Sequence, residues 1–455
     1  MGMYEQIARN KRRTFVMLAA FVLLLTALWL AADTLLPTPL TYFSFRTVFV
    51  QLSGVLAMGL MSLAMLLALR PQWLEPRLQG LDKMYRLHKW LGIGALVASV
   101  LHWWWAQGTK WMVGWGWLEK PARKPGGGAD TLGALEAWLR SQRGLAEDVG
   151  EWAFYAAAVL IVLALVKRFP YHWFVQTHRL IALAYLALAY HTVVLMKADY
   201  WAQPIGWVSA ALVLVGCWAA LWTWAGRIGA SRKRRGHIVA LTPYPALRVL
   251  QTTVALQEPW PGHRAGQFAF VTSNPREGAH PYTIASAWQP EQRQLVFITK
   301  ALGDHTSRLP HTLQVGMPVT VEGPYGCFDF DDAQPQQIWI GAGIGITPFI
   351  ARMQQRAAQP DGKAIDLFHP TADFDAQAIE RLRADAQAGG VKLHLLVNGK
   401  DGRLNGERIR AAVPQWQSAS IWFCGPPGFG QALRADFVAH GLPAERFHQE
   451  LFEMR

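Results

Sequence analysis

The chain has 455 residues, of which 52% are hydrophobic, 16% are charged and 22 are tryptophan. A soluble domain carries about 25% charged residues, so this composition excludes one uniform soluble protein and requires an apolar region. The net charge of +13 is typical of nucleic-acid binding or of basic segments beside a membrane. No nucleic-acid motif accompanies it, and we expect membrane lipid, not nucleic acid, as the partner of these charges.

Six apolar runs near the length of a membrane span, roughly 17 to 25 residues, occupy the first half of the chain. We interpret the first run as a retained span and not as a signal peptide, because further spans follow it. The fourth run is short, which allows an earlier start. Ordinary soluble composition begins near Arg227. The predicted spans are 14–32, 47–69, 88–105, 152–166, 178–195 and 205–224.

Lysine and arginine are concentrated on one side of this zigzag of spans. They occur in the N-terminal tail, in the second and fourth connections, and in the stretch RIGASRKRRG after the last span. The positive-inside rule assigns that side to the cytoplasm. The long third connection also carries basic residues, but acidic residues dilute them. We therefore predict a multi-pass protein of the inner (cytoplasmic) membrane with its soluble half in the cytoplasm.

Two of the predicted spans carry two histidines each, His88 with His102 and His178 with His191. Ionisable groups are costly in a bilayer and are usually functional there. Both spans run outward from the cytoplasm, so the first histidines share one depth and the second histidines share another, about 20 Å away along the axis. Two stacked pairs of facing imidazoles are what two bis-histidine haems require. Hydrogen bonding within the bundle is the alternative, favoured for any single histidine but not for the matched set.

The two spans differ in the angle between their histidines. Fourteen residues separate His88 from His102, which leaves the side chains about 40° apart around a helix, whereas thirteen separate His178 from His191 and leave about 140°. The fifth span must therefore tilt, bend or wind unevenly if both pairs are to face each other.

Residues 237–330 show short β-like runs separated by glycine and proline turns, which predict a small antiparallel barrel. The segments HPYTIAS, residues 280–286, and ITKALGDHTSRL, residues 298–309, lie within it. A flavin needs an aromatic face, a hydroxyl or amide near N5, and donors with a cation for its pyrophosphate. The candidates for these tasks are Tyr282, Thr283, Ser286, Lys300, Gly303 and Thr306.

The segment QQIWIGAGIGITPFIARMQQ reads as a strand, a glycine-rich turn and a helix, an order that holds a pyrophosphate at a helix N-terminus. The strand candidates AIDLFH, KLHLLV and SIWFC follow it and predict an α/β nucleotide-binding domain. The turn and the first helical turn contain Gly341, Gly343, Gly345, Thr347 and Pro348.

The last strand candidate ends in Cys424, Gly425 and Pro426. Ligands bind at the carboxyl ends of strands in open α/β sheets, but spacing alone fits a buried thiol followed by a turn equally well. The three cysteines, Cys217, Cys327 and Cys424, fit neither a disulfide framework nor a metal-binding CxxC pattern.

The four membrane histidines, HPYTIAS, GAGIGITPF and CGPPGFG with the C-terminal ELFEMR together resemble the ferric reductase and NADPH oxidase superfamily. The resemblance covers nearly the whole chain and implies a multidomain protein. It implies a cytoplasmic tail (1–13), an all-α six-helix transmembrane bundle with two b-type haems (14–226), a basic linker (227–236), an antiparallel β-barrel FAD domain (237–330) and an α/β NAD(P)H domain (331–455).

The resemblance also implies residue roles. His88 with His178 would bind the inner haem, and His102 with His191 the outer haem. Cys424 would lie beside the nicotinamide at hydride transfer. The segment HPYTIAS, which begins with His280 and Pro281, would be the flavin motif, with Tyr282 and Thr283 at the isoalloxazine ring and Phe452 as the aromatic cover of the flavin.

The implied activity is electron transfer from cytoplasmic NADH or NADPH through FAD and two haems to an extracytoplasmic acceptor. We prefer a ferric chelate as the acceptor, because the outer loop is basic; dioxygen, giving superoxide, is the alternative. Further alternatives are electron transfer to quinone or to a periplasmic partner, and a membrane protein without haem. The choice of nucleotide stays open, because AIDLFHPTADFDAQAIE lacks a basic clamp for a 2′-phosphate and only Arg403 offers a substitute.

Overall fold

The computed structural model describes residues 3–119, 133–166 and 168–450. The chain separates into two compact units. We call the first the helical unit; its described residues are 11–72, 83–119, 133–166 and 168–228. We call the second the sheet unit; its described residues are 3–10, 73–82 and 229–450.

Each of the six predicted apolar runs lies in helical structure. The helices are α1 (Met3–Leu30), α2 (Tyr42–Ala68), α3 (Leu81–Trp103), α4 (Thr109–Gly114), α5 (Ala134–Ser141), α6 (Arg143–Leu165), α7 (Tyr171–Arg179), α8 (Ile181–Leu195) and α9 (Pro204–Trp224), with a π-helical turn at Trp104–Gly108 directly after α3.

Among the described residues, four helical segments are long and apolar enough to cross a membrane: α2, α6, Trp173–Leu195 and α9. The apolar part of α1, Thr14–Leu30, is shorter than this criterion requires. Many large apolar side chains of these helices point outward, such as Leu23 and Leu214, which are 66% and 70% exposed. Lipid can cover such faces, as in a multi-pass membrane protein. The number of six spans stays a prediction.

The helices at the fourth and fifth predicted spans differ from the prediction in where they begin and in their continuity. α6 begins at Arg143, nine residues before the predicted start at residue 152. The fifth span consists of two helices, α7 and α8, which meet at Leu180. The break lies between His178 and His191 and therefore changes the angle between their side chains. It is the uneven winding that the spacing of these histidines requires.

A polar network ties the end of α1 to the connection between α8 and α9. Trp29 donates from its indole nitrogen to the Tyr200 hydroxyl over 2.8 Å, and Tyr200 donates to the Asp33 carboxylate over 2.5 Å. Lys197 also binds this carboxylate. Trp29 and Tyr200 are almost fully buried, so each polar atom finds a partner where water is excluded.

Six antiparallel strands form the first sheet of the sheet unit. β2 and β5 alternate strictly between buried and half-buried positions, the pattern of a sheet with one face on a core. The sheet order is β4-β3-β6-β1-β2-β5, and a single bridge from Ile284 to Phe297 joins its two edges. The strands are β1 (Lys233–Tyr244), β2 (Val249–Leu256), β3 (Phe268–Thr272), β4 (His280–Thr283), β5 (Gln294–Lys300) and β6 (Pro318–Tyr325), with helix α10 (Asp304–Thr312) after β5.

The second sheet has five parallel strands in the order β11-β10-β7-β8-β9. β7, β8 and β10 are buried along almost their whole length, because helices cover both faces. The strands are β7 (Gln336–Gly341), β8 (Ala364–Thr371), β9 (Val391–Val397), β10 (Ser420–Cys424) and β11 (Phe447–Gln449). The helices are α11 (Thr347–Ala358), α12 (Ala376–Ala388), α13 (Asn398–Asp401), α14 (Gly406–Ala412) and α15 (Pro427–Ala439).

Asp332 is the main polar anchor between β7, β10 and the loop before β8. Its carboxylate accepts hydrogen bonds from Lys363, Gln337 and Ser420, and from the indole nitrogen of Trp422 over 3.1 Å. Burial alone would raise the pKa of this carboxyl, but these hydrogen bonds lower it below its ordinary value. The charged form is therefore the one that the fold stabilises.

We expect Asp332→Ala to reduce the free energy of unfolding of the sheet unit by about 2 kcal/mol, because several buried donors lose their acceptor. The difference in unfolding free energy between wild type and this variant should be largest at neutral pH. It should shrink as the pH falls through the lowered pKa of Asp332, because the wild-type carboxylate then becomes protonated and loses its charged hydrogen bonds. Thermal unfolding at several pH values measures both effects. Asp331→Ala, at an exposed neighbouring position, is the control; an equal loss there would contradict the assignment.

Candidate functional site

The structure brings the four membrane histidines together in two pairs. The ring centroids of His88 and His178 are 5.9 Å apart, with an angle of 71° between the rings. Those of His102 and His191 are 6.1 Å apart, at 80°. With metal–nitrogen bonds of about 2 Å and roughly 1 Å from nitrogen to ring centre, two imidazoles on one metal have centroids about 6 Å apart. Both pairs have the spacing of two axial ligands.

Backbone carbonyls hold three of these rings through the Nδ1 atom. His88 donates to Ala64 over 2.9 Å, His102 to Val50 over 2.9 Å and His191 to Ala146 over 2.8 Å. A carbonyl can only accept, so Nδ1 carries the proton and Nε2 keeps a lone pair for a metal. His178 differs, since its buried Nδ1 has no hydrogen-bond partner within the described part of the chain.

Glycine lies where a neighbouring helix approaches His102 and His191. A Cβ atom at Gly150 of α6 would lie 1.9 Å from Nδ1 of His191, and one at Gly54 of α2 would lie 3.3 Å from Cε1 of His102. The first distance leaves no room for any side chain. His191 can therefore reach the Ala146 carbonyl only because α6 has glycine at this position.

His102 and His191 line a cavity of about 410 Å³ in the helical unit. The cavity wall is mainly apolar, with Met58, Met61 and Phe154 among its residues. Five charged side chains also line it: Arg46, Lys110, Arg143, Glu147 and Glu151. An apolar cavity with a few charged groups suits a large planar group that carries carboxylates, as a haem does.

A second cavity, of about 730 Å³, lies between the two sheets of the sheet unit. Most of the predicted flavin and nucleotide residues line it. These are Pro281, Tyr282, Thr283, Lys300, Thr306, Gly343, Gly345, Thr347, Cys424, Gly425 and Pro426. Residues predicted from four separate stretches of sequence thus meet at one site.

Five predicted residues lie near this cavity but outside its lining. The Ser286 hydroxyl accepts a hydrogen bond from the Val296 backbone and so serves the sheet. Gly303 precedes α10, where its backbone amide donates to the Thr306 hydroxyl over 3.2 Å. The remaining three positions are the strand residue His280, the strand end Gly341 and the helix residue Pro348.

Lys300 has a partner that the sequence did not indicate. Its ammonium group lies 2.6 Å from the Asp373 carboxylate in the loop after β8. The hydrogen bond from Lys300 lowers the pKa of Asp373. The ion pair joins the two sheets at the cavity edge, so a pyrophosphate at Lys300 has to share this cation with Asp373.

The glycine loop and the cysteine loop approach each other closely. A Cβ atom at Gly345 would lie 2.2 Å from the carbonyl oxygen of Cys424. The Gly341 carbonyl accepts a hydrogen bond from Nδ1 of the buried His369 over 2.6 Å, which fixes the start of the loop. The two loops therefore form one continuous wall of the cavity.

Cys424 is 1% exposed. Burial, with a further contribution from Glu450, raises the pKa of its thiol well above its ordinary value. The thiolate is the nucleophilic form of cysteine, so this side chain presents a neutral thiol at neutral pH. A neutral thiol that lines the cavity is compatible with hydride transfer from a bound nicotinamide. It is not compatible with covalent catalysis, which needs the thiolate.

Some lining residues carry weak sequence signals. Asn398 follows β9 directly, and the rule that ligands bind at the carboxyl ends of parallel strands points to it. Phe429 of α15 has no such signal.

Arg403, considered above as the cation for a 2′-phosphate, also lines the cavity. Phe452, the predicted cover of the flavin, lies outside the described residues.

Comparison with known protein families gives two matches. Residues 53–189 match the ferric reductase like transmembrane component, and residues 248–328 match an FAD-binding domain. The chain joins a ferric reductase-like transmembrane domain to an FAD-binding domain. This pairing confirms the predicted resemblance to the ferric reductase and NADPH oxidase superfamily. The first match includes His88, His102 and His178 and ends before His191.

Individual relatives are distant. A flavohemoprotein of Deinococcus radiodurans is 25% identical over 210 residues, which are 42% of this chain and 52% of that protein. Respiratory burst oxidase homolog protein E of Arabidopsis thaliana is 27% identical over 232 residues, which are 44% of this chain and 23% of that protein. The chain spans about half the length of the first curated relatives it matches.

Solved structures align with part of the chain. The ferredoxin reductase in carbazole 1,9a-dioxygenase is 19% identical, covers 48% of this chain and 69% of its own, and superposes with a TM-score of 0.41.

We expect Gly345→Ala to impair reduction of the flavin by NAD(P)H by roughly tenfold or more, because a 1 Å misplacement of a substrate-binding loop has effects of this size. The added methyl group would push the glycine loop away from Cys424. Stopped-flow absorbance of the flavin measures the rate. Gly428→Ala is the control, since a Cβ atom there meets nothing within 4 Å. Equal rates in the two variants would show that the loops do not need this contact.

Proposed function

We propose that the protein is a membrane flavocytochrome b oxidoreductase. It moves electrons from cytoplasmic NAD(P)H through FAD and two b-type haems to an extracytoplasmic acceptor, preferentially a ferric chelate. The observation that carries the proposal is the pair of facing histidine sets in a ferric reductase-like membrane domain, on the same chain as a cavity shared by a flavin motif and a nucleotide loop. We assign that cavity, and the domain that contains it, to the cytoplasmic side.

The histidine pairs fit the axial positions of haem iron. His88 with His178 would hold the inner haem, and His102 with His191 the outer haem. Their centroid spacings of 5.9 and 6.1 Å and their ring angles support this assignment. A haem with two imidazole ligands supplies one-electron transfer and leaves no open iron position for oxygen. The carbonyls that accept from Nδ1 orient the rings, so that Nε2 keeps its lone pair for iron.

The sheet unit would supply the electrons. FAD converts a two-electron hydride donor into one-electron steps, which haem acceptors require. We assign Tyr282 and Thr283 to the isoalloxazine ring, and the loop from Gly341 to Pro348 to the nucleotide pyrophosphate at the N-terminus of α11. Cys424 would border the nicotinamide as a neutral thiol. The other binding positions are His280, Pro281, Ser286, Lys300, Gly303, Thr306, Gly425 and Pro426.

The acceptor is assigned from charge. Three cations line the cavity of His102 and His191, and two carboxylates, Glu147 and Glu151, offset all but one of these charges; the cations are Arg46, Lys110 and Arg143. A basic opening attracts an anionic ferric chelate and raises its rate of encounter at low salt. Reduction of dioxygen to superoxide is the second candidate, and the similarity to a respiratory burst oxidase homolog favours it.

The test is an anaerobic absorbance experiment on the purified protein in detergent. NADH or NADPH is added, and spectra are recorded before and after a ferric chelate, oxygen or quinone is admitted. We expect sharp reduced b-haem bands with one nucleotide and their loss with the ferric chelate. Rapid reoxidation by oxygen with superoxide formation would favour the oxidase, and quinol formation would favour a respiratory role. Flavin bleaching without any haem signal would overturn the proposal.

We expect His102→Leu to lower the haem content from two to about one per chain and to abolish reduction of the external acceptor, because leucine has no lone pair for iron. Reduction of the flavin by NAD(P)H should be unchanged, since the substitution lies in the helical unit. A pyridine haemochrome assay and stopped-flow absorbance measure these quantities. Full acceptor reduction in this variant would exclude the proposed electron path.

Gly150→Ala should also lower the haem content, but less than His102→Leu, because it displaces a ligand and does not remove one. The added methyl group occupies the space of the His191 ring, which then loses its hydrogen bond to Ala146, and we expect the haem content to fall toward one per chain. Gly144→Ala on the same helix is the matched control, because a Cβ atom there meets nothing within 4 Å. Equal haem content in both variants would refute the role of Gly150.

A further inference from the structure

A second histidine cluster lies in the sheet unit; it includes His280 of the flavin motif together with Glu277 and His305, to which no role was assigned above. Glu277, His280 and His305 place one ligand atom each within 4.8 Å of one another. Glu277 lies in the loop before β4, His280 begins β4 and His305 lies in the first turn of α10. The cluster therefore connects the strand of the flavin motif to the helix whose N-terminus borders the cavity.

The hydrogen bonds of the cluster define which ring atoms carry protons. His305 Nδ1 lies 3.2 Å from the Glu277 carboxylate, and His305 Nε2 lies 3.0 Å from the Tyr282 hydroxyl. A carboxylate accepts, so Nδ1 is the protonated nitrogen and Nε2 accepts from Tyr282. The rings of His280 and His305 are stacked, with centroids 3.6 Å apart and an angle of 8°.

Both imidazoles are neutral at neutral pH. Burial and the neighbouring His305 lower the pKa of His280 to about 4. Burial also lowers the pKa of His305, although the Glu277 carboxylate opposes this effect. Two neutral imidazoles beside a carboxylate form a donor set that zinc binds in proteins.

We propose that Glu277, His280 and His305 form a site for a divalent transition-metal ion such as Zn²⁺, separate from the haem ligands. The ion replaces the proton that His305 Nδ1 shares with Glu277. His280 supplies the third ligand, and water completes the coordination. The site fixes β4 to α10 at the edge of the flavin cavity.

Binding requires a small rearrangement. Ligand atoms of a tetrahedral zinc ion lie roughly 3.3 Å apart, so the three groups must close in from their present separation and one ring must turn out of the stack. Arg308, which lies 2.9 Å from the second carboxylate oxygen of Glu277, is 59% exposed and can follow this movement. The Arg308 charge opposes a cation at the site, and it favours a moderate affinity.

The ion would also change the hydrogen bond at Tyr282. With a metal on Nδ1, the proton of the neutral His305 ring moves to Nε2, which then donates to the Tyr282 oxygen. The hydroxyl hydrogen of Tyr282 stays on its oxygen and turns away from His305, toward the cavity that this residue lines. Metal binding at the cluster should therefore alter the surroundings of a flavin in that cavity.

The experiment measures Zn²⁺ binding to the full-length protein in detergent after treatment with a chelator. A fluorescent zinc indicator serves as the competitor. We expect His305→Ala and Glu277→Gln each to raise the Kd for one equivalent of bound zinc by roughly tenfold or more relative to wild type. His311→Ala is the matched control, because His311 is an exposed histidine on the same helix, and it should bind as wild type does.

Equal zinc binding by wild type and His305→Ala would overturn the proposal. Glu277→Gln keeps the size of the side chain and serves if His305→Ala fails to fold, so the comparison can always be made. A zinc-induced change in the flavin absorbance of wild type, absent from Glu277→Gln, would support the link through Tyr282. These readouts need no acceptor and no haem, so they can fail or succeed independently of the proposed electron path.

Discussion

The helical unit depends on hydrogen bonds from imidazole rings to backbone carbonyls of neighbouring helices. His88 and His102 of α3 donate to α2, and His191 of α8 donates to α6. A carbonyl oxygen has two lone pairs, so it can accept such a bond in addition to its helical one. Each bond fixes a ring and the spacing of two helices together. The spacing of the His102 and His191 rings is thus set by α2 and α6, helices that contain no histidine, and this explains why glycine at position 150 of α6 matters to a ligand on α8.

The sequence predicted the parts of this arrangement that local patterns determine. Apolar runs located the helices, and the paired histidines located both levels of the membrane site. The break at Leu180 could only be inferred as a need for uneven winding, because the residues around it do not differ from a continuous span and the break depends on packing. In the sheet unit, the strand ends and glycine turns led to the cavity. Strand register decided the rest: the Ser286 hydroxyl serves the Val296 backbone, and Asp373 reaches Lys300 from a loop 73 residues away.

The cavity between the two sheets brings together loops from separate parts of the chain. The nucleotide loop and the cysteine loop approach so closely at Gly345 and Cys424 that a side chain at position 345 would collide with the Cys424 carbonyl. Burial keeps the Cys424 thiol neutral, which removes both a nucleophile and a negative charge from the place where hydride would leave the nicotinamide. The ion pair of Lys300 with Asp373 closes the edge of the same cavity. Lys300 and Arg403 bring cations to this cavity, and a cation can hold phosphate.

Histidine occurs in two contrasting arrangements in this chain, and geometry separates their uses. In the helical unit the rings face each other at steep angles, with about 6 Å between centroids and carbonyls behind them. That arrangement leaves a slot for one metal in a flat macrocycle. In the sheet unit the rings of His280 and His305 lie parallel at 3.6 Å, with a carboxylate as the partner. No macrocycle fits between stacked rings at van der Waals distance, so this cluster can accept only a proton or a small ion. The partner of each ring, a carbonyl or a carboxylate, and the angle between the rings decide the chemistry; the residue type does not.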